Sequence, residues 1–222
     1  MREEVKARLD RTIMWIYQTE LRHASYPVTP LSVIMRMQNC KIRSYQQLAT
    51  DSGTTVSEVI RAMRSADGCT NYQPIQQRYL ISYNKDGRSK ARIQWTLSHE
   101  LGHILSGHFV ELYEDGKTAA SPSELQYMEE EADYFAANFL APLPSIYALK
   151  AQTAADVRDW FGLSQTAAEY RWAEYLRSET QFDTPENYPY LKKASAVKRG
   201  KHLHHWNHCV DLYPENPEDA ML

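Results

Sequence analysis

Cysteine is scarce in this chain, with Cys40, Cys69 and Cys209 the only three among 222 residues. An odd number at wide spacing excludes a disulfide scaffold and points to a reducing compartment, with the cytoplasm as the expected location. No run of about 18 apolar residues occurs, so no membrane-spanning helix is expected. Nor is an apolar leader expected, because Met1-Arg2-Glu3-Glu4 runs into a charged helix. Positive charge is not in excess either. Lys and Arg number 25 against 28 Asp and Glu, a net charge of −3, which offers no global attraction for nucleic acid; DNA binding is not expected. Hydrophobic residues make up 43% of the chain, enough for one globular domain with tails.

Against this background the stretch Trp95-Thr96-Leu97-Ser98-His99-Glu100-Leu101-Gly102-His103-Ile104-Leu105 stands out. Leu97, Leu101, Ile104 and Leu105 recur at helical spacing and predict one buried stripe. His99 and His103 are one turn apart, with Cβ atoms ~5–6 Å from each other, so two imidazoles can close on one ion at ~2.0–2.1 Å per Zn–N bond. Glu100 is rotated about a quarter turn from His99, badly placed as a ligand but well placed to take a proton from a water beside the ion. This is the H-E-x-x-H arrangement of a zinc hydrolase. A partly buried helix cannot easily satisfy two histidines on one face without a metal or several acceptors.

A third protein ligand is needed. The extended form H-E-x-x-H-x-x-G-x-x-H fails, because Ser106 and Phe109 stand where glycine and histidine should be. His108 is therefore read as a polar residue ending the helix. A second amphipathic stripe, Leu125, Met128, Ala132, Phe135, Ala136 and Phe139, ends at Pro142 and Pro144. Ala132, Ala136 and Ala137 would let another helix approach closely. Glu129 and Asp133 lie four apart on one edge of the stripe, so Glu129 can bind the metal while Asp133 accepts a hydrogen bond from the far nitrogen of a ligating histidine. Glu131 is the rival ligand, without an acidic partner four residues on, and Glu130 reads as solvated.

Three stretches together, Tyr79–Asn84, Gln94–Ile104 and Glu129-x-Glu131-Ala132-Asp133-x-Phe135-Ala136-Ala137-x-x-Leu140-x-Pro142, resemble the ImmA/IrrE family of metallopeptidases. The resemblance is strong over about residues 75–180 and looser over 26–74. It implies a gluzincin-like zinc peptidase with His99, His103 and Glu129 as ligands of Zn2+ and Glu100 as the catalytic base. It also implies an intracellular endopeptidase whose substrates are helix-turn-helix repressors of mobile elements or stress regulons. Ala141 departs from the pattern, where a larger apolar residue is usual; this touches packing only. The expected fold is α+β and mostly helical, a zincin-like minimal metallopeptidase core with a small sheet or hairpin and helix-turn-helix-like pairs.

Along the chain, residues 3–24 predict a helix with Val5, Leu9, Ile13, Ile16, Tyr17 and Leu21 on one side, broken at Tyr26-Pro27-Val28-Thr29-Pro30. A short helix from Leu31 to about Met37 comes next. Between Tyr45 and Met63 a helix-turn-helix pattern appears, its second helix opened by a Thr55–Glu58 capping box. That helix offers only Arg61 and Arg64 for phosphates, so a hairpin packed on the core is expected rather than a DNA reader. Arg78 to Asn84 alternates as a strand with Tyr79, Ile81 and Tyr83 on one face. Asp86-Gly87 signals a hairpin, with Ser89 to Ile93 as the return strand. The edge of the Arg78–Asn84 strand is expected to pair with an extended substrate peptide. Residues 110–124 predict a loop, with Ser123 capping the next helix. Ala154–Phe161 and Gln165–Arg177 form a further pair whose Glu169, Arg171, Glu174 and Arg177 suit docking of a protein or plain packing.

The expected organisation is an N-terminal helix over 1–25, a peptidase domain over 26–180 with metal helices about 92–108 and 124–140, and a flexible tail over 181–222. His202, His204, His205, His208 and Cys209 lie in that tail without regular ligand spacing. Tyr127, Tyr134 and His108 are the candidate oxyanion donors. The competing function is a regulatory module that sequesters a repressor or antitoxin without cutting it, against which the intact His99, Glu100 and His103 argue.

Overall fold

The computed structural model describes residues 1–20, 28–87, 89–117 and 119–178. The described elements are mostly helical around one small sheet, as expected. In order they are α1 (Glu3–Glu20), α2 (Pro30–Ile34), β1 (Cys40–Ser44), α3 (Tyr45–Ser52), α4 (Val56–Met63), β2 (Gly68–Gln73), β3 (Arg78–Tyr83), α5 (Lys90–Ser106), α6 (His108–Glu114), α7 (Pro122–Leu140), α8 (Leu143–Ala148), α9 (Ala154–Phe161) and α10 (Gln165–Arg177). Leu21, the His-rich segment and the tail boundary at 181 lie outside the described residues.

The sheet runs β1-β3-β2, with β1 parallel and β2 antiparallel to β3. Tyr79, Ile81 and Tyr83 do bury their side chains, but β3 is central, so the edge expected on that strand is taken on both sides. Among the described residues, the edge near α5 left without a strand partner belongs to β2. Asn84 N–H donates to Asp67 O at 2.9 Å, and antiparallel alternation from that pair turns the N–H and C=O of Gly68, Thr70 and Tyr72 outward. Neither β1 nor β2 is visible as a hydrophobic alternation, because both are half-exposed and β2 mixes Gly, Cys, Thr and Asn.

The return strand at Ser89–Ile93 is not formed. Ser89 instead caps α5, its hydroxyl accepting from Arg92 N–H at 3.1 Å, so the Asp86-Gly87 turn leads into a helix. Arg92 then grips Asp67 through Nε and Nη2 at 2.9 and 2.7 Å, tying the start of α5 to the turn before β2. The loop expected over 110–124 is half helix, because Phe109 and Val110 pack on the core and carry α6 to Glu114. Ser121, not Ser123, caps α7, in a reciprocal box with Glu124. The Thr55–Glu58 box opens α4 as expected.

One core joins α1, β3, α5, α7, α8, α9 and α10. Tyr17 on α1 is fully buried and donates to Phe139 O at 2.7 Å. Arg171 on α10 is buried, and its guanidinium donates to Ala141 O at 2.7 Å and to Asn138 Oδ1 at 2.6 Å. It therefore satisfies the end of α7 from inside the core, rather than facing a partner.

The most extensive packing between two elements is α5 on α7. A Cβ on Gly102 would lie 3.1 Å from Ala132 Cα and 3.2 Å from Ala132 O. These are backbone atoms and cannot swing aside, so glycine and alanine set how closely the helices cross. Gly102→Val should therefore lower the free energy of unfolding by about 2 kcal/mol or more through overpacking, read from the midpoint of chemical denaturation.

Candidate metal centre

The close crossing aligns one turn of α5 with one turn of α7. His99 and His103 project from α5, and Glu129 and Asp133 from α7. Tetrahedral ligands about 2.0–2.1 Å from an ion stand about 3.4 Å from each other. Here His103 Nε2 is 3.1 Å from His99 Nε2. Glu129 is 3.2 Å from His99 Nε2 through Oε2 and 3.5 Å from His103 Nε2 through Oε1. Among the described residues, His99, His103 and Glu129 form the group of potential ligand atoms drawn together closely enough to hold a metal ion.

Hydrogen bonding behind the imidazoles tests whether the group fits a cation. His99 Nδ1 is 2.9 Å from Asp133 Oδ1, so a proton on Nδ1 has an acceptor, and the neutral ring then presents the lone pair of Nε2 to a cation. His103 Nδ1 is 2.9 Å from His108 Nδ1. Two lone pairs and a carboxylate facing one point suit a divalent cation and little else. Glu131 is turned away, with its Oε2 3.0 Å from Arg8 Nη2 and 3.3 Å from His108 Nε2. Glu130 pairs with the amino group of Met1 at 3.3 Å.

The two histidines differ electrostatically. Burial is the largest influence on both. In His103 it acts together with the nearby His99 and His108 and depresses the pKa to about 3, which keeps this ring neutral and able to ligate. In His99 burial is outweighed by the hydrogen bond to Asp133 and by the charges of Glu100, Asp133 and Glu129, and the pKa rises.

Glu100 is buried beside them, and burial raises its pKa. Thr70 on β2 opposes that rise from its hydroxyl and its amide, although the hydroxyl closes no hydrogen bond of ordinary length. A bound cation would also oppose it. The carboxylate is thus neither salt-bridged nor fully solvated, the condition of a group that can take and return a proton.

The site opens into a cleft of about 720 Å³. Asp67, Cys69 and Thr70 line it on the β2 side, Trp95 on α5, and Phe109 and Met128 on the α6–α7 side. Two of the three candidate oxyanion donors are placed elsewhere. Tyr127 is 61% exposed and does not line the cleft, and Tyr134 donates to Asp10 Oδ1 at 3.0 Å. His108 has both ring nitrogens paired, with His103 and Glu131. Thr70 and the β2 edge were not legible as site residues, since a polar residue on an irregular half-exposed strand carries no pattern of its own.

No helix among the described residues is long and apolar enough to cross a membrane. No curated protein matches this sequence. A family model does match, from the start of α4 through β2, β3 and the helices α5 and α7 to most of α10: the chain belongs to the Peptidase_M78 family, whose IrrE N-terminal-like domain covers residues 54–174, more than half its length.

Proposed function

We propose that this protein is a zinc-dependent endopeptidase, acting in the cytoplasm on a peptide bond of a helix-turn-helix transcriptional repressor of a mobile element or stress regulon. The observation that carries the reading is the convergence of His99, His103 and Glu129 with a buried Glu100 on one open cleft. His99, His103 and Glu129 would hold the zinc. When bound, it supplies Lewis acidity toward the scissile carbonyl and lowers the pKa of a water to ~7.

The residues of the chain account for the rest. Glu100 accepts the proton of the attacking water and returns it to the departing amine nitrogen, and its burial favours holding that proton between the two steps. Asp133 fixes the ring of His99. The outward N–H and C=O of Tyr72 and the outward C=O of Thr70 suit an extended peptide added to β2, which would lay the scissile bond across the cleft. The open, strand-edged shape supports a protein substrate rather than a small amide, and the resemblance to the ImmA/IrrE family supports the repressor class.

The full chain should bind one zinc, and His103→Ala or Glu129→Ala should abolish that binding, as read by metal analysis after dialysis. Glu100→Gln should keep the zinc while slowing cleavage of a repressor substrate by about 10²–10⁴-fold. The assay is incubation with candidate repressors, with and without a chelator, followed by mass spectrometry. Cleavage by Glu100→Gln at the unaltered rate would remove Glu100 from its role. Tyr72→Pro should weaken cleavage at least tenfold, about 1.4 kcal/mol, with zinc content unchanged, since Pro is tolerated where the strand N–H points outward. Loss of zinc in that variant would mean that the edge supports the metal site and not the peptide.

A further inference from the structure

Behind His103 the polar contacts do not stop at one residue. His103 Nδ1 meets His108 Nδ1 at 2.9 Å, His108 Nε2 meets Glu131 Oε2 at 3.3 Å, and the same oxygen meets Arg8 Nη2 at 3.0 Å. Arg8 Nη1 also donates to Ser106 O, in the last turn of α5, at 3.3 Å. The side chain of His108 is 5% exposed and that of Glu131 16%. His108 is thus neither a solvated helix end nor an oxyanion donor.

Local backbone geometry explains how His108 gets there. In a continuous helix a residue five positions on is rotated about 140° from His103 and cannot face it. Gly107 breaks the helix with φ of 83°, ending α5 and starting α6. That left-handed residue turns the chain so that His108 swings back under His103.

We propose that His108, Glu131 and Arg8 form an ordered hydrogen-bond relay that holds His103 in its metal-binding tautomer. The proposal rests on the zinc reading above and extends the centre from α5 through α7 to α1. Its direction follows from counting protons. If Nε2 of His103 is to give its lone pair to the metal, the ring proton must sit on Nδ1. His108 Nδ1 must then accept, which places the His108 proton on Nε2, where a carboxylate waits. Arg8 turns that carboxylate toward His108 rather than toward the metal. Glu131 is therefore excluded as a ligand because it is already occupied one shell out. These three are positioning residues, since none touches the substrate or the reacting atoms.

The test uses the full chain, freed of metal, titrated with zinc against a chromophoric chelator. His108→Leu removes the acceptor and should weaken zinc binding about 10–100-fold. His108→Gln keeps an oxygen that can accept from His103 and should recover most of that loss, which a purely space-filling role would not allow. Glu131→Gln, which retains an acceptor but loses Arg8, should fall between. In the zinc-loaded protein, nitrogen-15 spectra of the ring should place the His108 proton on Nε2 and none on Nδ1. Folded His108→Leu that holds zinc as tightly as the unaltered chain would overturn the relay, as would a proton on His108 Nδ1. Should His108→Leu not fold, Glu131→Gln and the ring spectrum decide. If the unaltered chain binds no zinc, the metallopeptidase reading and the relay fall together. If zinc is lost in Glu129→Ala but unchanged in His108→Leu and Glu131→Gln, only the relay falls.

Discussion

The contact of Gly102 with Ala132 governs this structure. A Cβ on Gly102 would lie 3.1 Å from Ala132 Cα, so α5 and α7 meet here with no side chain on one helix and a single methyl on the other. His103 is the next residue on α5, and Asp133 the next on α7. The turns that carry the potential ligands therefore adjoin this close contact. A wider crossing would separate His99 and His103 from Glu129 directly, because the ligand atoms now stand only 3.1 to 3.5 Å apart. Tyr17 on α1 and Arg171 on α10 fix α7 from either side through backbone oxygens near its C-terminus. Apolar packing thus supplies the rigidity that polar ligation needs.

The polar atoms gathered there are costly without a cation. A buried donor or acceptor left unpaired costs about 1–3 kcal/mol, and in the tautomers that can ligate, the two imidazole lone pairs face each other and cannot satisfy one another. The protein has provided each Nδ1 with a partner and has left each Nε2 directed at the same point. The partners differ in kind. Asp133 is more than half exposed and charged, whereas His108 is buried and neutral in the relay. The ring of His99 is accordingly pushed toward protonation and that of His103 away from it. A divalent cation removes the difference by requiring both rings to be neutral.

Much of this was legible in the sequence, for reasons that can be named. The stripes of α5 and α7, the placement of His99, His103, Glu129 and Asp133, and the capping box at Thr55 all depend on local periodicity or local hydrogen bonds. The β2 edge was not legible, because Gly68–Gln73 owes its place to Thr96 and Ser82, against which a Cβ on Gly68 would lie at 2.6 and 2.9 Å. The false return strand came from a turn signal that was real. Asp86-Gly87 does reverse the chain, but the Ser89 cap makes the next element a helix. The place of His108 escapes a count of positions along an unbroken helix, because Gly107 breaks it. Arg171 has the pattern of surface charge because nothing in its neighbours along the chain announces the carbonyl of Ala141.

The hairpin α3–α4 shows how a pattern associated with one function can be put to a different structural use. Its helices share a small core of Tyr45, Ala49 and Val59, separate from the main one. Tyr45 is fully buried and donates its hydroxyl to Ser65 O at 3.1 Å. Ser65 in turn uses its hydroxyl on both the N–H and the C=O of Gly68, the outward groups at the start of β2. Gln46 holds Asn84 across the same corner at 2.9 Å. The hairpin is therefore anchored to the turn that leads into the cleft wall. It fills the first outward position of β2, at Gly68, with the hydroxyl of Ser65.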